Sequence, residues 1–181
     1  MNYEVFRQLE KIRKKHGPQE FGRICQVLLE LTFQEIGFRT RGRSVERPDI
    51  SAERGPESYA IEVKAPSGTS VSIDQNDLDG LKDFENKGIN PVIAVLAFRP
   101  NPAWLLLNAR KLRPGKHNVT ALRLYSLAEL EKEIDNAFPG ILSRYLDLAM
   151  TKKSRGLWEK LRFGAGAIRG EGSVRQSQNR M

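Results

Sequence analysis

The sequence predicts an α/β domain, a mixed β-sheet flanked by helices, followed by a C-terminal helix and a basic tail. Three observations predict it. Helix-period segments and extended apolar segments alternate along the chain. The run Pro91 to Phe98 is almost wholly apolar, the pattern of a strand covered on both faces. The breakers Gly17-Pro18, Gly55-Pro56 and Pro139-Gly140 divide the chain into pieces sized for helices and short strands.

Each element follows in order. Tyr3 to His16 reads as a helix, with Phe6, Leu9 and Ile12 near helical spacing. Gly17 breaks it, and Pro18 suits the first turn of a second helix that runs to Ile36 and stops at Gly37. Phe21, Ile24, Cys25, Leu28, Leu31 and Phe33 cover more than half of that helix, so it should be largely buried. Phe38 to Ser44 alternates basic and small residues and reads as a strand. Ile50 to Ala52 and Ser58 to Ala65 are strands joined by the Gly55-Pro56 turn. Ser72 and Gln75 have capping-box spacing, opening a helix with Leu78, Leu81 and Phe84 on one face. Pro91–Phe98, Ala103–Leu107 and Thr120–Tyr125 read as strands. Ser126 and Glu129 open a helix to about Phe138. Pro139-Gly140 separates it from another, Ile141 to Met150. From Gly164 the chain is rich in Gly, Ser, Gln and Arg and reads as flexible. The expected organisation is a basic helix at 1–17, a sheet domain at 18–138, a helical extension at 139–163 and a basic tail at 164–181.

Composition limits the chemistry. The 181 residues suit one domain with an appended arm. No apolar run is long enough to span a bilayer, and Glu4 and Arg7 charge the N-terminal stretch. The expectation is therefore a cytoplasmic protein with no membrane partner, in the host cytoplasm if the source is viral. One cysteine, Cys25, excludes an internal disulfide and a cysteine-built zinc site. His16 and His117 are the only histidines, which disfavours histidine metal sites and a Ser-His-Asp triad. No GxxxxGK[ST] stretch occurs. Carboxylates, lysines and arginines are left to carry any reaction.

The net charge is +8, unevenly distributed. Residues 151–181 hold eight cations against two anions. A second cluster is Arg7, Lys11, Arg13, Lys14 and Lys15, and a third is Arg39, Arg41 and Arg43. Such clusters suit a phosphate backbone, whose neutralisation releases counterions. A solvated, solubilising surface is the plainer reading of the same charges.

The informative motif is Pro48-Asp49-Ile50, followed thirteen positions after Asp49 by Glu62-Val63-Lys64. On a strand, Glu62 and Lys64 share one face and Val63 takes the other. A hairpin at Gly55-Pro56 brings Asp49 beside Glu62. Two carboxylates at one strand end form a hard-oxygen site suited to Mg2+ or Mn2+, and the adjacent lysine can hold a water or a phosphate oxygen. Alone, Glu-x-Lys is more often a surface ion pair on a solvated strand face.

In company with other features, the motif resembles the PD-(D/E)XK nucleases, and among them the archaeal-type Holliday junction resolvases. Gly22-Arg23-Ile24-Cys25-Gln26 is similar to the family's first-helix pattern, and Gly37-Phe38 ends that helix at the family's distance. Ser44 follows an arginine-bearing strand. Ile73-Asp74-Gln75 places a glutamine at the head of the helix after the catalytic strand, ahead of Leu78, Leu81 and Phe84. The similarity covers about Glu20 to Glu133. It implies a restriction-endonuclease-like fold and hydrolysis of phosphodiester bonds in branched or duplex DNA. It implies Mg2+ as cofactor, with Mn2+ substituting, and a homodimer, because resolution needs two symmetric cuts.

Residue by residue, the resemblance makes Asp49, Glu62 and the Val63 carbonyl metal ligands. Lys64 orients or activates the attacking water, Gln75 supports the site or a phosphate, and Ser44 contacts the phosphate near the cut. Arg39, Arg41, Arg43, Lys14 and Lys15 are candidate nucleic-acid contacts. Arg39, Arg41 and Arg43 read equally well as charges guarding an exposed sheet edge. One departure matters: Gln26 stands where the family has a helix glutamate. Glutamine coordinates through its oxygen but brings no charge, and Glu30, one turn on, is a second source of a carboxylate. Two other readings remain: a restriction- or repair-type nuclease of the same fold acting on another DNA or RNA substrate, and a nucleic-acid-binding module that has lost the chemistry.

Overall fold

The breaks in the chain decide where the helices sit. The computed structural model describes residues 3–42, 48–66, 68–98 and 102–167. Helix α1 (Tyr3–Glu35) is two helices joined at Gly17, whose φ of 77° and ψ of 172° need a glycine. Pro18 then opens the second half, as its fixed φ and missing N–H allow. At the far end Gly37 adopts φ 92°. Phe38 N donates to Phe33 O and Gly37 N to Gln34 O, the paired bonds of a Schellman stop. The Phe33 and Phe38 rings meet edge-on with centroids 5.3 Å apart and seal it.

The stop turns the chain into the main sheet. Strands β1 (Arg39–Gly42), β2 (Ile50–Arg54) and β3 (Glu57–Lys64) form an antiparallel meander. After β3 come strand β4 (Ser70–Ile73) and helix α2 (Gln75–Glu85), and the chain returns as β5 (Asn90–Ala97), parallel to β3. Strand β6 (Ala103–Asn108) runs antiparallel to β5 and completes the order β1-β2-β3-β5-β6. A short 3-10 turn (Ala109–Lys111) leads to β7 (Gly115–Asn118), which pairs with β4 as a separate two-stranded sheet. A second 3-10 turn spans Ala121–Tyr125, and helix α3 runs from Ala128 to Ala167.

The main sheet is packed on both faces. On one, Ile50, Ile61, Val92, Ala94, Leu96 and Leu106 meet α1 and α3 through Leu28, Phe33, Phe138 and Leu142. On the other, Ala60, Ile93, Val95, Leu105 and Leu107 meet Leu81 of α2, Val71 and Ile73 of β4, and Leu112 and Leu122. This double cover is why Pro91–Phe98 reads as an unbroken apolar run. The expected mixed α/β architecture is the one observed.

Four expectations are corrected. Thr120–Tyr125 is not a strand: its core is the 3-10 turn, with Leu122 buried and Leu124 84% exposed. Helix α2 is capped by Asp74 and Asp77, not by Ser72 and Gln75. Ser72 lies in β4, and Asp74 and Asp77 each accept the other's backbone N–H. Pro139-Gly140 does not divide α3, which continues through it. The expected boundary at 138/139 thus falls within a helix, where Phe138, Ile141 and Leu142 are all buried. The break occurs instead at Lys153 (φ 58°, ψ −159°). Finally, α3 extends to Ala167, into the segment expected to begin the tail at 164. Strand β4 (Ser-Val-Ser-Ile) does alternate, with Val71 and Ile73 buried, but over only four residues, and β7 (Gly-Lys-His-Asn) carries no apolar side chain to announce it.

Candidate active site

The geometry grows from the register of β2 on β3. Ile50 pairs with Ile61, so one residue earlier Asp49 falls opposite Glu62. Ile50 and Ile61 point into the α1/α3 core. Asp49 and Glu62 therefore take the other face, toward α2, by strand alternation. The Asp49 Oδ2 accepts a hydrogen bond from Val63 N at 2.8 Å, which holds the carboxylate against β3. The N–H and C=O of one strand residue point to the same side. The Val63 carbonyl therefore points toward the edge where Asp49 sits. Glu62 is 8% exposed and Lys64 shares its face.

Lys64 is held from two directions. Its Nζ lies 2.7 Å from Asp77 Oδ1 and 3.6 Å from Glu62 Oε1. Asp77 is 1% exposed, and its other oxygen accepts the backbone N–H of Asp74 at 2.9 Å. One carboxylate thus starts α2 and anchors the lysine. Removing one partner of so buried a pair typically costs about 3–5 kcal/mol.

Gln26, on the second half of α1, donates from Nε2 to the Asp49 carbonyl at 3.3 Å, so the structure brings it to the Asp49 segment. Glu30 is buried, and its Oε1 accepts from Thr40 of β1 at 2.9 Å. Gln75 is not gathered with the carboxylates. It is exposed on the first turn of α2, donates to Asp79 Oδ1 at 2.9 Å, and borders a hollow of about 310 Å3 between α2, Pro91 and the 109–111 turn. The cause is the cap: because α2 starts at Asp74, the residue facing β3 is Asp77.

Arg39 and Arg41 are exposed on β1, the edge strand of the sheet, and Arg39 lies 3.8 Å from Glu53 of β2. Lys14 and Lys15 are exposed on the first half of α1, Lys14 lying 3.5 Å from Glu10. Ser44 and Arg43 lie outside the described residues.

Among the described residues no group of three or more aspartate, glutamate, histidine or cysteine side chains could hold an ion. The donors gathered here are two carboxylates and a backbone carbonyl, all hard oxygens, with the Gln26 amide bonded to the Asp49 carbonyl beside them. That set suits Mg2+, which is commonly bound through one or two carboxylates while keeping several waters. The residues present fit the ion.

A family model for the archaeal Holliday junction resolvase (Hjc) matches residues 24–137. The chain belongs to the Hjc family. Its fold has the five-stranded mixed sheet between helices, and the match spans Gln26, Asp49, Glu62, Lys64 and Asp77. Resolvases of this family are metal-dependent nucleases acting on DNA. A solved structure of Hjc from Archaeoglobus fulgidus, described as a Holliday junction resolvase from an archaeal hyperthermophile, is 22% identical. The similarity covers 57% of this chain and 89% of that one, with a TM-score of 0.48. The vesicle-associated membrane protein-associated protein scs2 of Schizosaccharomyces pombe is 30% identical over 102 residues, 54% of this chain. The chain spans about a quarter of the length of that curated relative, 26%. No described helix is long and apolar enough to cross a membrane.

Within this Hjc-family site, the residue that sequence reasoning missed is Asp77. The signal was present as Asp74-Gln75-Asn76-Asp77, an acid at each end of a capping-box spacing, overlapped by the Ser72/Gln75 pair two residues earlier. Burial also settles the bland readings of other residues. Trp104 is fully buried and packs edge-on to Phe138, and desolvation pushes the buried Cys25 thiol up.

Proposed function

We propose that this chain is a structure-selective DNA endonuclease that resolves Holliday junctions, hydrolysing phosphodiester bonds with Mg2+, for which Mn2+ substitutes. The observation that carries the reading is the 2.8 Å bond from Val63 N to Asp49, which sets the two carboxylates side by side on the face that also carries Lys64. Asp49, Glu62 and the Val63 carbonyl would hold the ion, with Gln26 bordering it through Asp49. When bound, the ion would neutralise charge on the scissile phosphate and lower the pKa of a water. Lys64, fixed by Asp77, positions that water or a phosphate oxygen for in-line attack. Gln75 and Ser44 are proposed to meet phosphates at the rim of the site. Arg39, Arg41, Arg43, Lys14 and Lys15 are proposed to contact the DNA backbone. The protein works as a homodimer in the cytoplasm, two sites facing one junction.

The test is side-by-side cleavage of a four-way junction, a linear duplex, a flap and a single strand, with Mg2+ and with Mn2+. The junction is cut in preference to the others. Asp49→Asn lowers the rate by ~10³-fold, which corresponds to ~4 kcal/mol of transition-state stabilisation, while DNA binding persists. Preference for another substrate rejects the resolvase assignment, and a wild-type rate for Asp49→Asn removes that residue from the site. Gln26 favours a second reading, a binding module without chemistry, which would show salt-sensitive DNA binding and no cleavage with either ion.

A further inference from the structure

Two basic segments far apart in sequence, both outside the family-matched span of 24–137, come together where the helices break. His16 Nε2 lies 3.0 Å from Ala149 O, joining the end of the first half of α1 to α3. One turn further on, Glu20 Oε1 accepts both the N–H of Ser154 at 2.9 Å and its hydroxyl at 2.6 Å. The Gly17 break of α1 and the Lys153 break of α3 are therefore clamped side by side, from above and below. Around the clamp Lys11, Lys14, Lys15, Lys152, Lys153 and Arg155 are all exposed. Glu10 lies 3.5 Å from Lys14, and Asp147 and Glu159 are the exposed acids of the neighbouring turns of α3.

We propose that this clamped junction of α1 and α3 is a second DNA-docking surface that grips the phosphate backbone of a duplex arm away from the cleavage site. The proposal rests on the nuclease reading above and adds a place where the substrate's arm is held. Two features favour a phosphate ligand over a merely solvated face. First, Lys153 is the single non-glycine residue with positive φ among the described residues, a conformation costing about 1–3 kcal/mol that glycine would relieve. The chain accepts that cost where it presents an ammonium group to solvent. Second, the break is built to keep its shape. A Cβ on Gly156 would collide with the Lys152 stem and sit 3.3 Å from Leu148 Cδ1, so Lys152 is seated on a glycine that cannot be enlarged without moving it. The hydrogen bonds fix the two helix backbones relative to each other, so the cations they carry face adjacent phosphates without a rearrangement of the helices.

The experiment measures binding of the full chain to a fluorescent four-way junction in Mg2+-free buffer as a function of salt. The wild type is compared with a variant in which Lys14, Lys15, Lys152 and Lys153 are all changed to Gln. The expected result is a fall in affinity of about 10- to 100-fold at 150 mM salt, with the slope of log K on log salt reduced by about 3 to 4. The matching quadruple Lys→Arg variant keeps the wild-type affinity and slope, which separates charge from folding. Unchanged affinity and slope in the Gln variant overturn the surface and leave the nuclease reading standing. A wild type that neither binds nor cuts DNA removes both. A Gln variant that keeps its DNA affinity but loses binding to vesicles of phosphatidylcholine and phosphatidylserine overturns the proposal in favour of a membrane surface.

Discussion

The two edges of the main sheet are finished in opposite ways. Strand β6 is closed by a helix. Trp104 N donates to Asp135 Oδ1 at 3.2 Å, Leu106 N donates to Glu131 Oε1 at 2.8 Å, and Leu127 N donates back to Leu106 O at 2.8 Å. Side chains of α3, four residues apart, thus stand in for the missing neighbour strand. Strand β1 has only four residues, and its exposed Arg39 and Arg41 guard it with charge. Both edges lie two strands from Glu62, and the lesson is that, among the described residues, the sheet is closed to pairing at β6 and left open, but cationic, at β1. A dimer built by continuing β6 into a partner strand is disfavoured, while the β1 edge stays accessible to a polyanion.

Three changes would break or sharpen this contrast. The largest effect belongs to Glu131→Leu combined with Asp135→Leu, which leaves two backbone N–H groups without acceptors. Each such loss costs about 1–3 kcal/mol, so urea titration should show a destabilisation of about 2–5 kcal/mol. Gel filtration should then show association that grows with concentration as β6 becomes a free edge. An unchanged midpoint would mean that these carboxylates do not close the edge. Smaller is the effect of Arg39→Glu with Arg41→Glu at the open edge. Junction affinity should fall about tenfold, with the unfolding free energy changed by no more than about 0.5 kcal/mol. If affinity holds, the arginines only guard the strand.

The smallest effect is a pH drift. Burial pushes the carboxyls of Glu131 and Asp135 above their ordinary values of 4.5 and 3.8, against the pull of the N–H groups they accept. A raised folded value favours the protonated form in the fold. That contribution to stability is complete below the unfolded values and is lost as pH rises through the folded ones. Glu131→Gln with Asp135→Asn keeps a carbonyl acceptor at each position and escapes the loss. Its melting temperature relative to wild type should therefore climb between pH 3 and pH 7. A flat difference would show that the edge carboxylates fold and unfold without changing their protonation. Glu35 and Glu133 run the other way. Arg144 and Arg54 hold them below 4.5 through paired hydrogen bonds, so their support fades on acidification in both proteins.

The legibility of the sequence follows the range of the forces involved. Strand alternation is local, so Asp49, Glu62 and Lys64 could be set on one face from spacing and one hairpin turn. Gly17-Pro18 and Gly37 act on their own backbone, and both helix boundaries stand where they were read. Capping is also local, yet Ser72 and Asp74 offered two competing caps, and only packing of α2 on the sheet selects the second. That choice moved Gln75 outward and brought Asp77 to Lys64. Leu122 and Leu124 alternate like a strand, but the outer edge of β6 is taken by Asp135 and Glu131 of α3 and by a single bridge from Leu107 to Ser126, which leaves no run of positions for a further strand. Pro139 breaks helices in isolation, whereas here Phe138 and Leu142 on either side are buried among α1 and the sheet, which holds the helix together.

One carboxylate, Asp77, both fastens the first turn of α2 and grips the Lys64 ammonium. Fraying of that turn and release of the lysine are consequently a single event. The Lys64 amine is held in place while the helix is wound, and a chain that has not finished winding it leaves that amine without its Asp77 anchor.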